Sequence, residues 1–102
     1  LAVKIALTNN TPIKSVGAGT IIFSDWTPSS GYVVIVRHKD DILSVYKNAA
    51  SVTKSQGNIV RSGEVIALAG NANNVQNSGA TLHFELWKDG FPIDPTQFIN
   101  FN

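Results

Sequence analysis

Thr81-Leu82-His83-Phe84-Glu85-Leu86-Trp87-Lys88, followed by Asp89-Gly90, alternates polar and apolar residues with a period of two. That period belongs to a strand with one buried face. Leu82, Phe84 and Leu86 take the core side, and Thr81, His83 and Glu85 take the other. Asp-Gly is a strong hairpin signal because both residues tolerate positive φ. The strand therefore sets an imidazole and a carboxylate side by side on one sheet face. A solvated face with an incidental histidine accounts for the same pattern, so this stretch alone establishes a strand and leaves a site open.

Strand signals dominate on the N-terminal side. Val3-Lys4-Ile5-Ala6-Leu7 alternates, and Thr8-Asn9-Asn10-Thr11-Pro12 reads as a turn. Ile13–Val16 restarts a strand, the Gly17-Ala18-Gly19 run predicts a bulge or tight bend, and Thr20–Phe23 continues. Asp25–Gly31 is a loop by composition and carries Trp26. Tyr32-Val33-Val34-Ile35-Val36 is the strongest strand, with four consecutive β-branched residues that imply burial on both faces. Lys39-Asp40-Asp41 predicts the turn of a hairpin whose return strand is Ile42–Tyr46. Lys47–Asn58 is polar and small, and reads as a loop with room for one helical turn. Two strands flank the turn Arg61–Glu64, Gly70–Gly79 is an Asn-rich loop, and Asp94-Pro95 predicts a cap followed by a short turn over Phe98 and Ile99. Many short strands and almost no helix predict an all-β sandwich or partly open barrel.

The chain has 102 residues, enough for one core, so residues 1–102 are expected to form one domain. With 43% hydrophobic and 15% charged residues the composition excludes a disordered chain. A net charge of +1, with basic residues dispersed, gives no nucleic-acid surface. The absence of cysteine excludes disulfides and thiolate metal sites. No apolar run approaches the ~20 residues of a membrane helix. The abrupt start at Leu1, within an apolar run, suggests the C-terminal part of a longer chain. No serine sits in a nucleophile elbow, and no glycine-rich loop opens a helix. Gly-punctuated strands also suit a biotinyl or lipoyl carrier, with Lys88 before the Asp89-Gly90 turn. The chain has no Met to flank such a lysine, which weighs against it.

Taken in order, several segments resemble the LytM/lysostaphin family, zinc endopeptidases that cut peptidoglycan cross-bridges. Thr11–Ile21 resembles the family's opening strands and Gly31–His38 its central strand. Gly57–Gly70 resembles its "G--V--G--IA--G" run, Ser78–Trp87 its terminal motif, and Asp94-Pro95 its closing pair. The resemblance covers nearly the whole chain and implies an antiparallel β-sheet sandwich or half-barrel with an open groove.

Residue by residue, the resemblance implies a degenerate site. The family's aspartate ligand falls on Lys4, and its first histidine ligand falls before Leu1. The second histidine of its His-x-His pair is His83, while the first, a catalytic residue, is Thr81. The histidine of its Tyr-x-His motif falls on Asn48, after Tyr46. Lysine offers no lone pair while protonated and repels a metal ion. Thr81 and Asn48 do not exchange protons near neutral pH, and loss of such a group costs roughly 100- to 10,000-fold. His38 matches a family position that is not a ligand and is expected to be structural. Trp26 and Trp87 are expected to cap the core or line a groove.

The implied function is a non-catalytic domain in peptidoglycan remodelling in the bacterial cell envelope, periplasmic or extracellular. Degenerate family members act as murein hydrolase activators. By that resemblance a vacated groove of Lys4, Asn48, Thr81, His83 and Glu85, with Trp26 at its margin, would bind and activate a murein hydrolase or amidase. A peptidoglycan-binding module and a zinc endopeptidase with residual activity are the alternatives. No cofactor is expected, zinc belonging to the active relatives.

Overall fold

A computed structural model of the chain describes residues 2–70 and 79–97. The elements are β1 (Val3–Leu7), β2 (Pro12–Lys14), β3 (Gly19–Thr27), β4 (Gly31–Arg37), β5 (Ile42–Val52), β6 (Ile59–Val60), β7 (Val65–Ala69), β8 (Ala80–Lys88) and β9 (Phe91–Ile93). Single 3-10 turns lie at Lys39–Asp41 and Pro95–Gln97. The main sheet runs β1-β8-β5-β4-β3-β6, with every pairing antiparallel; β9 extends from β8, and β7 joins β5 to β2. The chain is all-β, as the patterning predicts.

β5 is the element that curves the sheet. Its first half, Ile42–Lys47, pairs with β8, and Leu43–Tyr46 within it pairs with β4. Its second half, from Ala49, exchanges β8 for β7, with Ala49 still opposite Tyr32 of β4. The change of partner occurs at Asn48, whose backbone is left-handed with φ 72°. Asparagine is among the few side chains that tolerate this region. Folding β7 and β2 over the main sheet encloses a core of Ile13, Ile66, Ala67 and Ala69 against Val34, Val36, Tyr46, Phe84 and Leu86. Leu82 and Phe84 are buried while Thr81, His83 and Glu85 are not, as the period-two reading of β8 requires. Val33, Val34 and Val36 are buried in β4, and Ile35 partly so.

Two boundaries differ from the sequence reading. Lys47–Asn58 is not wholly a loop: β5 continues to Val52, because Ala49, Ser51 and Val52 find backbone partners in Ala69, Leu68 and Ala67 of β7. Ala49 and Ser51 carry little intrinsic strand preference, and a partner distant in sequence supplies the ladder. Asp25–Gly31 is likewise not all loop. Asp25, Trp26 and Thr27 pair with Val33, Tyr32 and Gly31, leaving a turn at residues 28–30. The Thr27 hydroxyl accepts from the Ser30 amide at 3.1 Å and donates to the Gly31 carbonyl at 3.0 Å, which closes that turn.

The Asp89-Gly90 hairpin has φ of 52° and 85°, the double positive φ that its sequence predicts. Asp94 accepts hydrogen bonds from the Thr96 amide and hydroxyl ahead of the Pro95–Gln97 turn. The predicted turn over Phe98 and Ile99, and most of the Gly70–Gly79 loop, lie outside the described residues.

Candidate functional site

The open face of the main sheet is built by strand alternation. On β8 it carries Thr81, His83, Glu85 and Trp87. Cross-strand partners in β1 and β5 are Lys4 opposite His83, Ala6 opposite Thr81, Lys47 opposite His83, and Val45 opposite Glu85. Directly opposed side chains in antiparallel strands have Cβ atoms about 4.5–5.5 Å apart. The His83 imidazole thus stands between the side chains of Lys4 on one side and Lys47 on the other. Neither Lys4 nor His83 has a hydrogen-bond or ion-pair partner among the described residues.

Glu85 is occupied. One oxygen receives Lys47 Nζ at 2.7 Å and the other receives Trp87 Nε1 at 3.0 Å. Partial burial pushes the carboxyl upward, but the hydrogen bonds from Lys47 and Trp87 and the lysine charge outweigh it and hold its pKa below the ordinary value. Lys47 was not among the residues singled out from the sequence. The sequence reading places it at the start of the polar Lys47–Asn58 loop, which hides the alternation that puts it on this face.

Asn48 and Thr81 meet differently from the family-based expectation. Asn48 donates from Nδ2 to the Thr81 carbonyl at 2.6 Å, and its amide donates to the Ser30 carbonyl at 2.7 Å. Its side chain is therefore committed to locking the β5 bulge against β8. Trp26 stands apart, on β3 opposite Tyr32. Three strand steps separate β3 from β8, about 14 Å at ~4.8 Å per step, so Trp26 does not join the His83 cluster. Trp87 lines the face, as expected for an aromatic with a polar edge.

Beside the cationic row lies a shallow slot of about 320 Å³ lined by Ile35, Leu43, Val45, Lys47, Glu85 and Trp87. The sequence reading did not identify it, because its walls come from three strands whose register is set by folding.

His38 belongs to a separate network on the other face. Its Nδ1 lies 2.7 Å from the Ala18 carbonyl and its Nε2 lies 2.6 Å from Ser44 Oγ. A carbonyl only accepts, so Nδ1 carries the proton; in the neutral ring Nε2 then accepts from the Ser44 hydroxyl. Tyr46 donates to Ser44 Oγ at 2.9 Å and accepts from the Val16 amide at 3.0 Å. Ser44 has no exposed surface, so this Ser–His pair is a structural device joining β5 to the Val16–Ala18 bend.

A hydrolytic zinc needs three protein ligands with lone pairs and one open position. On this face the described residues offer His83 flanked by two ammonium groups, with the nearby carboxylate engaged. Among the described residues no three His, Cys, Asp or Glu side chains converge. This donor set does not fit the ion.

Comparison with known proteins agrees with the fold. Over 95 residues the chain is 30% identical to the murein hydrolase activator EnvC of Escherichia coli, covering 93% of this chain and 22% of that protein. A solved complex of SpoIIIAH and SpoIIQ contains a chain 32% identical, superposing with a TM-score of 0.78 over 88% of this chain and 63% of that one. The peptidase lysostaphin from Staphylococcus simulans, at 20% identity, shares the fold with a TM-score of 0.82 over 95% of this chain and 42% of its own. The chain spans 22% to 29% of the length of the curated relatives it matches first. Residues 1–95 match peptidase family M23, and the chain belongs to that family.

Proposed function

We propose that this is a non-catalytic M23 domain of the bacterial cell envelope that binds and activates a murein hydrolase through the open face carrying Lys4, His83 and Glu85. The observation that carries the reading is the cross-strand pairing of Lys4 with His83. By the family resemblance Lys4 falls on a ligand position, and a cation there opposes metal binding. The similarity to a protein named as a murein hydrolase activator, and to a chain solved in complex with a protein partner, supports a binding role.

The test measures release of dye from labelled sacculi by purified murein amidases, with and without the chain. Stimulation of one amidase by the wild-type chain is expected, together with no release by the chain alone. Absence of stimulation of any envelope hydrolase would sink the activator reading. Sacculus binding without stimulation would make the chain a peptidoglycan-binding module instead. Stoichiometric zinc in the purified chain, with release of dye by the chain alone, would restore the peptidase reading.

A further inference from the structure

Lys4 and His83 are adjacent in register, on an accessible face, with no protein partner among the described residues. Each presents an N–H donor or a charge to solvent where related enzymes would hold a cation. The one nearby carboxylate, Glu85, is drawn toward Lys47 and Trp87. Replacing a metal ligand by lysine thus does more than remove zinc. It reverses the charge that this position selects, from cation to anion.

We infer that the Lys4–His83 pair is a carboxylate-binding point, and that its occupant is an acidic side chain of a protein partner docked across the open face. This rests on the reading of the chain as a non-catalytic binding domain and specifies the chemistry of its partner. A carboxylate suits two donors set on neighbouring strands, because its two oxygens accept from both at once. The second half of the recognition element is the slot lined by Ile35, Leu43, Val45 and Trp87. Its aliphatic floor calls for a bulky apolar side chain, which distinguishes an amphipathic polypeptide from glycan. On β8 the slot is lined by Glu85 and Trp87, two and four residues from His83, so its centre lies about 10 Å along the strand at ~3.3 Å per residue. A partner segment therefore carries one acidic and one apolar anchor at that separation, which is about seven residues on a helix at 1.5 Å each. The Lys47–Glu85 ion pair lines the end of the slot nearer His83 and gives the segment a polar contact there.

The experiment uses the isotopically labelled chain and three probes. Two are blocked helical peptides in an alanine–glutamine host, each with one leucine and, seven residues before it, either glutamate or glutamine. The third is a soluble muropeptide. The glutamate peptide should move the amide signals of Lys4 and His83 together with those of Leu43 and Trp87, and the glutamine peptide should bind about tenfold more weakly. Lys4→Gln and, independently, His83→Gln should erase that preference while leaving the spectrum dispersed. Equal binding of the two peptides, no binding of either, or retention of the preference in both variants would overturn the inference. Movement of Lys4 and His83 by the muropeptide alone would overturn the assignment to a protein partner. The hydrolase assay separates this from the broader reading. If the wild-type chain and Lys4→Glu stimulate a hydrolase equally, the carboxylate point falls and the activator reading stands. If neither stimulates but the peptides discriminate as stated, the activator reading falls and the carboxylate point stands.

Discussion

Tyr46→Phe removes one oxygen atom and should cost the domain about 2 kcal/mol. The ring itself keeps its place, including its edge contact with Phe84 at 5.3 Å between centroids. What disappears is the hydroxyl that accepts from the Val16 amide and donates to Ser44. Two hydrogen bonds at about 0.5–1.5 kcal/mol each give a loss of about 1–3 kcal/mol. The upper half applies to Ser44, which is wholly buried and out of reach of bulk solvent. At about 4–8 °C per kcal/mol for a domain of this size, a loss of about 2 kcal/mol lowers Tm by about 8–16 °C. Tyr32→Phe is the matched control. It is the same chemical change at a half-buried tyrosine with no hydrogen bond from its hydroxyl among the described residues, and should stay within about 0.5 kcal/mol of wild type. Thermal and urea unfolding of both variants, completed by Ser44→Ala and the double variant, measures the coupling. Equal stability of Tyr46→Phe and Tyr32→Phe, or strict additivity with Ser44→Ala, would refute the network as a unit. There is also an alkaline signature. Burial raises the Tyr46 phenol above its ordinary value of 10.0, against the opposing hydrogen bonds of Ser44 and Val16. Above that value the unfolded chain loses this proton first, so stability falls as pH rises, and Tyr46→Phe removes that component.

Further predictions concern the site and its supports. Asn48→Ala should cost about 2–3 kcal/mol in urea unfolding, combining an unfavourable left-handed backbone with the lost bond to Thr81, whereas Asn48→Gly should cost only about 1 kcal/mol. Equal losses would show that the backbone conformation is not the cause. The Glu85 carboxyl is held below its ordinary value of 4.5, so the unfolded chain takes up that proton first and the stability it contributes is lost as pH falls through the folded pKa. Glu85→Gln should therefore flatten the acid limb of the stability profile, by about 1 kcal/mol or less, since Lys47 is a third exposed. Gly19→Ala places a Cβ into the Arg37 carbonyl and the Val36 side chain and should cost more than about 3 kcal/mol, read as loss of folded signal in circular dichroism.

Period-two alternation, a β-branched run and an Asp-Gly pair are all local signals, so the sequence by itself determined β8 with the faces of its side chains, β1, β4 and the Asp89-Gly90 turn. Ordered glycine and strand signals carried the family resemblance, and with it the expectation that Lys4, Asn48 and Thr81 stand at the family's ligand and proton-transfer positions. What it did not show is which strands lie beside β8. That register depends on ladder pairing between residues far apart in the chain, and only the tertiary structure supplied it. The pairing put Lys47 on the far side of His83, turned Glu85 away to Lys47 and Trp87, assembled the apolar slot from three strands, and left Trp26 three strands distant. It also defined what Asn48 does. A left-handed bulge and a bond to a backbone carbonyl follow from where β5 changes partners, which no pattern within residues 47–58 encodes.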